Sequence, residues 1–284
     1  MMNAKFRSEE NEIVKNILVA LDASEHSDAA LSAAMSLART LKANVKGMFV
    51  RDETWQQVTK LPSISAVNIT TGELLTLKHE TMETRVTILQ NRLRERMEVL
   101  GKLNRVNHTW EFTEGNVNEK ILEAAVRADL ITIGQKGQSV SKKPIGSTAE
   151  AVIRKTEKPV LVIREGRKLK GPVILFYDGS EASEKGIKMA IRMARQNDAK
   201  LIIRVDPDLP QKDKGYLSRL HQRLSSQNAV AEIKKMEGSS AALFLQITHD
   251  NHAGMLILPK RHKVIEESLE TFLSHLHCPV LLMS

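Results

Sequence analysis

The sequence predicts an α/β protein made of two copies of one parallel-sheet unit, and three observations carry that prediction. First, NILVALDASEHSDAALSAAMSLARTLKANVKGMFV from Asn16 aligns without gaps with PVILFYDGSEASEKGIKMAIRMARQNDAKLIIRV from Pro172. The two segments match at Asp22/Asp178, Ser24/Ser180, Glu25/Glu181, Ser27/Ser183, Ala34/Ala190, Ala38/Ala194, Arg39/Arg195 and Ala43/Ala199. An internal repeat of this length sets the number of units before anything else is read. Second, each copy runs apolar strand, polar turn, amphipathic helix, apolar strand, which is the βαβ pattern of a parallel sheet covered on both faces. Third, 284 residues suit two domains of ~100 to 200 residues each, and with 42% hydrophobic but only 4% aromatic residues the cores must be aliphatic.

The elements follow in order. Ser24 or Ser27 is placed to cap the first helix, and Ser180 or Ser183 its counterpart. Residues 52–72 have no clear period and contain Pro62 and Gly72, which predicts a mobile loop. From Glu73 to Leu100 apolar residues recur at three- and four-residue steps, the signature of a long amphipathic helix. Val106 to Thr113 reads as a strand, Asn118 to Arg127 as a helix, Leu130 to Ile133 as a buried strand and Ser147 to Lys155 as a helix. A Pro-led strand, Val160 to Ile163, closes the first half, and Val280 to Met283 closes the second in the same way. In the second half Tyr216 to Ser226 and Ala241 to Thr248 read as helices, Met255 to Leu258 as a strand and Ser268 to His275 as the last helix. The polar connector Gly166 to Gly171 predicts domains at 1–168 and 169–284.

Composition excludes several functions. One cysteine, Cys278, rules out an internal disulfide framework or a thiolate metal cluster within one chain, and it suits a reducing compartment. The opening MMNAKFRSEENEIVKN is polar, and no run approaches the ~20 apolar residues a membrane span needs, so a cytoplasmic location is expected. The net charge of +8 is spread over both halves. The basic run Arg85, Arg92, Arg94, Arg96, Lys102 and Arg105 is interleaved with Glu80, Glu83, Glu95 and Glu98, which reads as a salt-bridged helix face and argues against nucleic-acid binding. His249 with His252, and His275 with His277, lack further ligands at metal-site spacing. There is neither a nucleophile elbow nor a Walker lysine motif, so no catalytic residue is assigned.

The chemistry concentrates in Gly134-Gln-Lys-Gly137-Gln-Ser-Val-Ser-Lys-Lys-Pro-Ile-Gly146-Ser147-Thr148, between a buried strand and a helix. Glycines let phosphates approach the backbone, free amides and the positive helix end stabilise their charge, and Ser147 and Thr148 add hydroxyls. In an open parallel sheet this loop and the Asp22 turn both lie beyond the carboxyl ends of the strands, where ligands bind.

This combination, with the LVALDASEHSDAAL opening and the closing PVLVI strand, resembles the universal stress protein family, in particular its tandem members. The resemblance implies two tandem Rossmann-like domains, each an open five-stranded parallel sheet flanked by helices. It also implies an adenine nucleotide, ATP or AMP, with or without Mg2+. Asp22 would face the adenosine, Val50 would line the adenine pocket, and Gly134, Lys136, Gly137, Gly146, Ser147 and Thr148 would hold ribose and phosphates. Family domains pair through the last strand, which implies an intramolecular pseudo-dimer of the two halves and leaves a chain-to-chain homodimer open.

The loop departs from the family's nucleotide-binding pattern, which has one residue more between its second and third glycines; Lys142 and Lys143 could compensate electrostatically. In the second half Pro259 stands where Gly134 does and His262 where Gly137 does, so no nucleotide is expected there. The reading is a stress-response regulator or sensor with a nucleotide in its first domain and a structural or partner-binding second domain, its protein partner unknown. The alternatives are a nucleotide-free interaction scaffold and a weak ATP-hydrolysing switch.

Overall fold

A computed structural model describes residues 14–53, 64–67, 74–77, 79–137 and 144–284. Strand β1 (Asn16–Leu21) leads through a tight turn into α1 (Glu25–Leu41) and back into β2 (Asn44–Asp52). Ser24 is the cap of α1, its hydroxyl accepting from the Ser27 amide at 3.1 Å, while the Ser27 hydroxyl donates to the Ser24 carbonyl. The buried face of α1 is rich in alanine (Ala30, Ala33, Ala34, Ala38), which lets the helix lie close on the sheet. The first half continues with β3 (Ile64–Val67), β4 (Leu74–Leu77), α2 (His79–Asn104), β5 (His108–Gly115), α3 (Val117–Ala125), β6 (Leu130–Gly134), α4 (Ser147–Lys155) and β7 (Val160–Ile163).

The second half repeats the plan with β8 (Val173–Tyr177), α5 (Glu181–Gln196) capped by Ser180, β9 (Leu201–Val205), α6 (Leu209–Lys212), α7 (Tyr216–Ser226) and β10 (Glu232–Lys235). It ends with α8 (Ala241–Asp250), β11 (Met255–Pro259), α9 (Lys263–His275) and β12 (Val280–Met283). All the large-sheet strands form one ten-stranded sheet, β10-β9-β8-β11-β12-β7-β6-β1-β2-β5. Each half supplies five parallel strands, and β7 joins β12 antiparallel with Leu161 opposite Leu281. Both leucines are wholly buried. Because successive strand residues face opposite ways, two aliphatic layers form, one through Ile17, Val19, Leu161 and Leu175, the other through Leu18, Ile131, Val160 and Leu256.

Several expected elements shift. Within 52–72 the described part is not all loop, since Asp52 ends β2 and β3 pairs antiparallel with β4; residues 54–63 and 68–72 lie outside the described residues. The long helix begins at His79, because Leu74 to Leu77 belongs to β4. The strands β10 and the short helix α6 had no counterpart in the sequence reading. The last helix starts five residues earlier than Ser268, but is broken at Ser268 (φ −140°, ψ 28°), so the expected segment is its second part. The basic face of α2 pairs partly across elements: Arg96 reaches Asp28 of α1 at 2.7 Å, and Glu83 meets Arg51 of β2 at 2.7 Å.

Candidate functional site

At the carboxyl end of β1 the chain turns through Asp22, whose Oδ1 accepts from the Ser24 amide at 3.0 Å. Ala23 makes the turn in the left-handed region, at φ 61°. The adjacent strand β2 presents Met48 and Val50 on one face, as strand alternation requires. On the other side of β1, β6 ends at Gly134 and the backbone passes through Gln135, Lys136 and Gly137; Gly146 then opens α4. Asp22, Val50, Gly134, Lys136, Gly137, Gly146, Ser147 and Thr148 all line one cleft of about 290 Å³, near the lower end of the range typical of small-molecule sites. Lys142 and Lys143 lie outside the described residues.

The cleft has an apolar and a polar end. Ala20, Met48, Val50, Ile121 and Ile133 form apolar wall, while Asp22, Lys136, Ser147 and Thr148 supply polar groups. The amino end of α4 has no side-chain cap, in contrast to α1, α3, α5 and α8, each capped by a Ser or Asn side chain. A helix start with its macrodipole facing a cleft favours negative charge. Sequence reasoning missed Ala20, Met48, Ile121 and Asp52; Met48 was accessible from its two-residue spacing to Val50.

The glycines have a reason other than the one the sequence suggested. A Cβ on Gly134 would sit 2.8 Å from the His26 carbonyl carbon, and one on Gly137 would sit 2.5 Å from Asp22 Oδ2. A Cβ on Gly146 would come 3.3 Å from the Gly137 nitrogen. The glycines therefore let the loop close on α1, on Asp22 and on itself. The Gly146 amide is also engaged, donating to the Gln135 carbonyl at 2.8 Å, so it closes the loop. Nearby, His26 Nδ1 accepts from the Glu165 amide at 3.0 Å. Burial, aided by Arg164 and Lys136, holds the His26 pKa below its ordinary value and keeps that acceptor free.

The corresponding place in the second half is filled. Phe176 stands at the repeat position of Ala20, and its ring packs on Phe244 of α8 at 5.0 Å and on His262 at 4.6 Å. The His262 Nδ1 accepts from the Val264 amide at 3.3 Å and caps α9, which fits a neutral ring; burial pushes its pKa down. A larger hollow of about 640 Å³ lies where α4 meets the second half, lined by Arg154, Thr156, Asp178, Lys260, Arg261 and Glu266. Two of its cations are already paired, Arg154 with Glu150 and Arg261 with Glu157. Among the described residues no group of three or more His, Cys, Asp or Glu is placed to hold a metal. The Cys278 thiol is buried and its pKa is pushed up to about 12, so it stays protonated and unreactive. None of the described helices is long and apolar enough to cross a membrane.

Comparison with known proteins adds the lineage. A universal stress protein from Archaeoglobus fulgidus has a similar structure, with a TM-score of 0.70 at 16% identity, over 96% of this chain and 98% of that one. A functionally unknown protein from Pseudomonas aeruginosa PAO1 gives a TM-score of 0.60 at 15% identity, over 97% and 94%. A universal stress protein solved in complex with cAMP gives 0.37 at 16% identity, over 54% of this chain and 98% of that one. No curated protein sequence matches the chain. The sequence profile of the universal stress protein family matches residues 14–164, more than half the chain and the whole of the cleft just described; the chain belongs to the universal stress protein family.

Proposed function

We propose that the first half, residues 1–168, binds an adenine nucleotide, ATP or AMP, with or without Mg2+, and that the chain is a stress-response regulator or sensor in the cytoplasm. The observation that carries this reading is convergence: eight residues from three separated stretches, the Asp22 turn, Val50 in β2 and the glycine loop, line a single cleft. Base and ribose suit the apolar wall at Ala20, Val50 and Ile121 beside Asp22. The phosphates suit Lys136, Ser147, Thr148 and the uncapped start of α4, where backbone dipole and cationic charge act together.

In this reading the second half, residues 169–284, holds no nucleotide, because Phe176, Phe244 and His262 occupy the equivalent volume. Its role is structural or partner-binding, and the β7–β12 pairing acts as the seam of an intramolecular pseudo-dimer.

Calorimetry with ATP and AMP tests the proposal. Saturable binding by the full chain is expected. Gly146→Val should weaken it by about 100-fold or more, since a branched side chain there meets the Gly137 backbone and displaces the loop. Absence of saturable heat at millimolar nucleotide would favour a nucleotide-free scaffold.

A further inference from the structure

Gln135 lies between the two loop glycines, yet its side chain points away from the cleft and is buried. Its Nε2 donates twice, to the Pro144 carbonyl at 3.0 Å and to the Leu273 carbonyl of α9 at 3.1 Å. Both acceptors are carbonyls, so only the NH2 end of the amide fits, and both of its protons are used. The backbone of the same residue completes the loop: its amide donates to the Ile163 carbonyl at 2.8 Å and its carbonyl accepts from Gly146. One residue thus holds the last strand of its own half, both arms of the glycine loop and the last helix of the other half.

The second half contains the reciprocal contact. Lys260 follows Pro259 as Gln135 follows Gly134, and its amide donates to the Met283 carbonyl at 2.8 Å. Its Nζ crosses the seam in the opposite direction to the Thr156 carbonyl at the end of α4. The two crossings differ in one respect. Lys260 lines the hollow of about 640 Å³ at the seam and reaches only the end of a helix, whereas Gln135 is buried and holds a loop that borders the cleft of the first half. Moreover the helix that Gln135 holds is the broken one: Ser268 interrupts α9, and Leu273 belongs to the segment beyond the break.

We infer that Gln135 is a positioning residue that links the loop of the first half to the carboxyl segment of α9, so that nucleotide in the cleft is felt in the second half. This rests on the nucleotide reading for its ligand but not for its geometry. A ligand that draws the loop arms together moves Pro144 and the Gly146–Gln135 bond, and the shared amide cannot follow without loosening or tightening its grip on Leu273. Linkage is reciprocal, so a partner that seizes α9 alters nucleotide affinity by the same factor.

Amide hydrogen exchange on the full chain, with and without saturating AMP, tests this at two reporters: the Gly146 amide, bonded to Gln135, and the Leu276 amide, bonded to Phe272 at the end of α9. In the native chain AMP should slow exchange at both, by about fivefold or more at Leu276. In Gln135→Met, which keeps length and volume but donates nothing, AMP should bind more weakly and, at saturation, slow Gly146 alone. If AMP binds and Leu276 does not respond, or if Gln135→Met keeps that response, the linkage is wrong while the nucleotide reading stands. If AMP does not bind at all, the nucleotide reading falls, and the unliganded comparison decides the linkage. Faster exchange at both reporters in Gln135→Met sustains it, and a change at one or neither overturns it.

Discussion

Ala23 and Gly179 occupy the same turn in the two halves, at φ 61° and φ 79°. Only the second half uses the residue that tolerates this conformation; a Cβ in the left-handed region costs ~1 to 2 kcal/mol. Ala23→Gly is therefore expected to raise the urea midpoint, by an amount equivalent to about 1 kcal/mol less the added freedom of the unfolded chain. Histidine protonation gives a second expectation. His262 and His26 both accept an amide hydrogen on Nδ1, and burial lowers both pKa values from the ordinary 6.5. The unfolded chain then takes up protons that the folded chain refuses, so stability is full above pH 6.5 and declines as the pH falls below it. His262→Asn, which retains a capping oxygen without the titration, should give a shallower decline in a urea series from pH 7 to about pH 5. The cleft-lining glycines, Lys136, Ser147 and Thr148 were legible because their types suit phosphate chemistry, and Asp22 and Val50 only through the family resemblance. Ala20 and Ile121 were not, since an alanine or isoleucine in a cleft is indistinguishable in sequence from one in a core.

Among the elements, β1 and β8 differ at the position where the first half has its cleft. Both strands run along the same line of the repeat and bury the same face, but Ala20 leaves room where Phe176 fills it. Ala20→Phe is expected to abolish nucleotide binding in calorimetry with little loss of secondary structure by circular dichroism; binding that persists would place the ligand elsewhere. The helices and strands with strong apolar periods, such as α4, α7 and β7, have the bounds the sequence predicted. Failures came where the period was ambiguous or absent. Leu74 and Leu77 are three apart and suit a helix, but belong to β4. The outermost strand β10 is Glu-Ile-Lys-Lys, bonded only to β9, and its charges suit an exposed sheet edge while erasing any apolar signal. The break in α9 has no marker in sequence, because serine is tolerated within helices.

At the scale of the molecule the large sheet has ten strands, and its halves meet at β7 and β12. The duplicated plan was visible because buried parallel strands must be continuous apolar runs, and Val160 to Ile163 and Val280 to Met283 are such runs. The Gln135 and Lys260 contacts across the seam were not, since a hydrogen bond to a backbone carbonyl more than a hundred residues away leaves no trace in composition or spacing. The two halves differ at the equivalent place: the first has a cleft and the second has aromatic packing. The most direct check is a two-dimensional NMR titration of the full chain with AMP and ATP, following backbone amide shifts. Saturable shifts should centre on Gly137, Ser147, Thr148 and Ala149, with no comparable set at the turn after β8. Shifts confined to Asp178 through Ala182, or none at millimolar nucleotide, would contradict a nucleotide cleft in the first half.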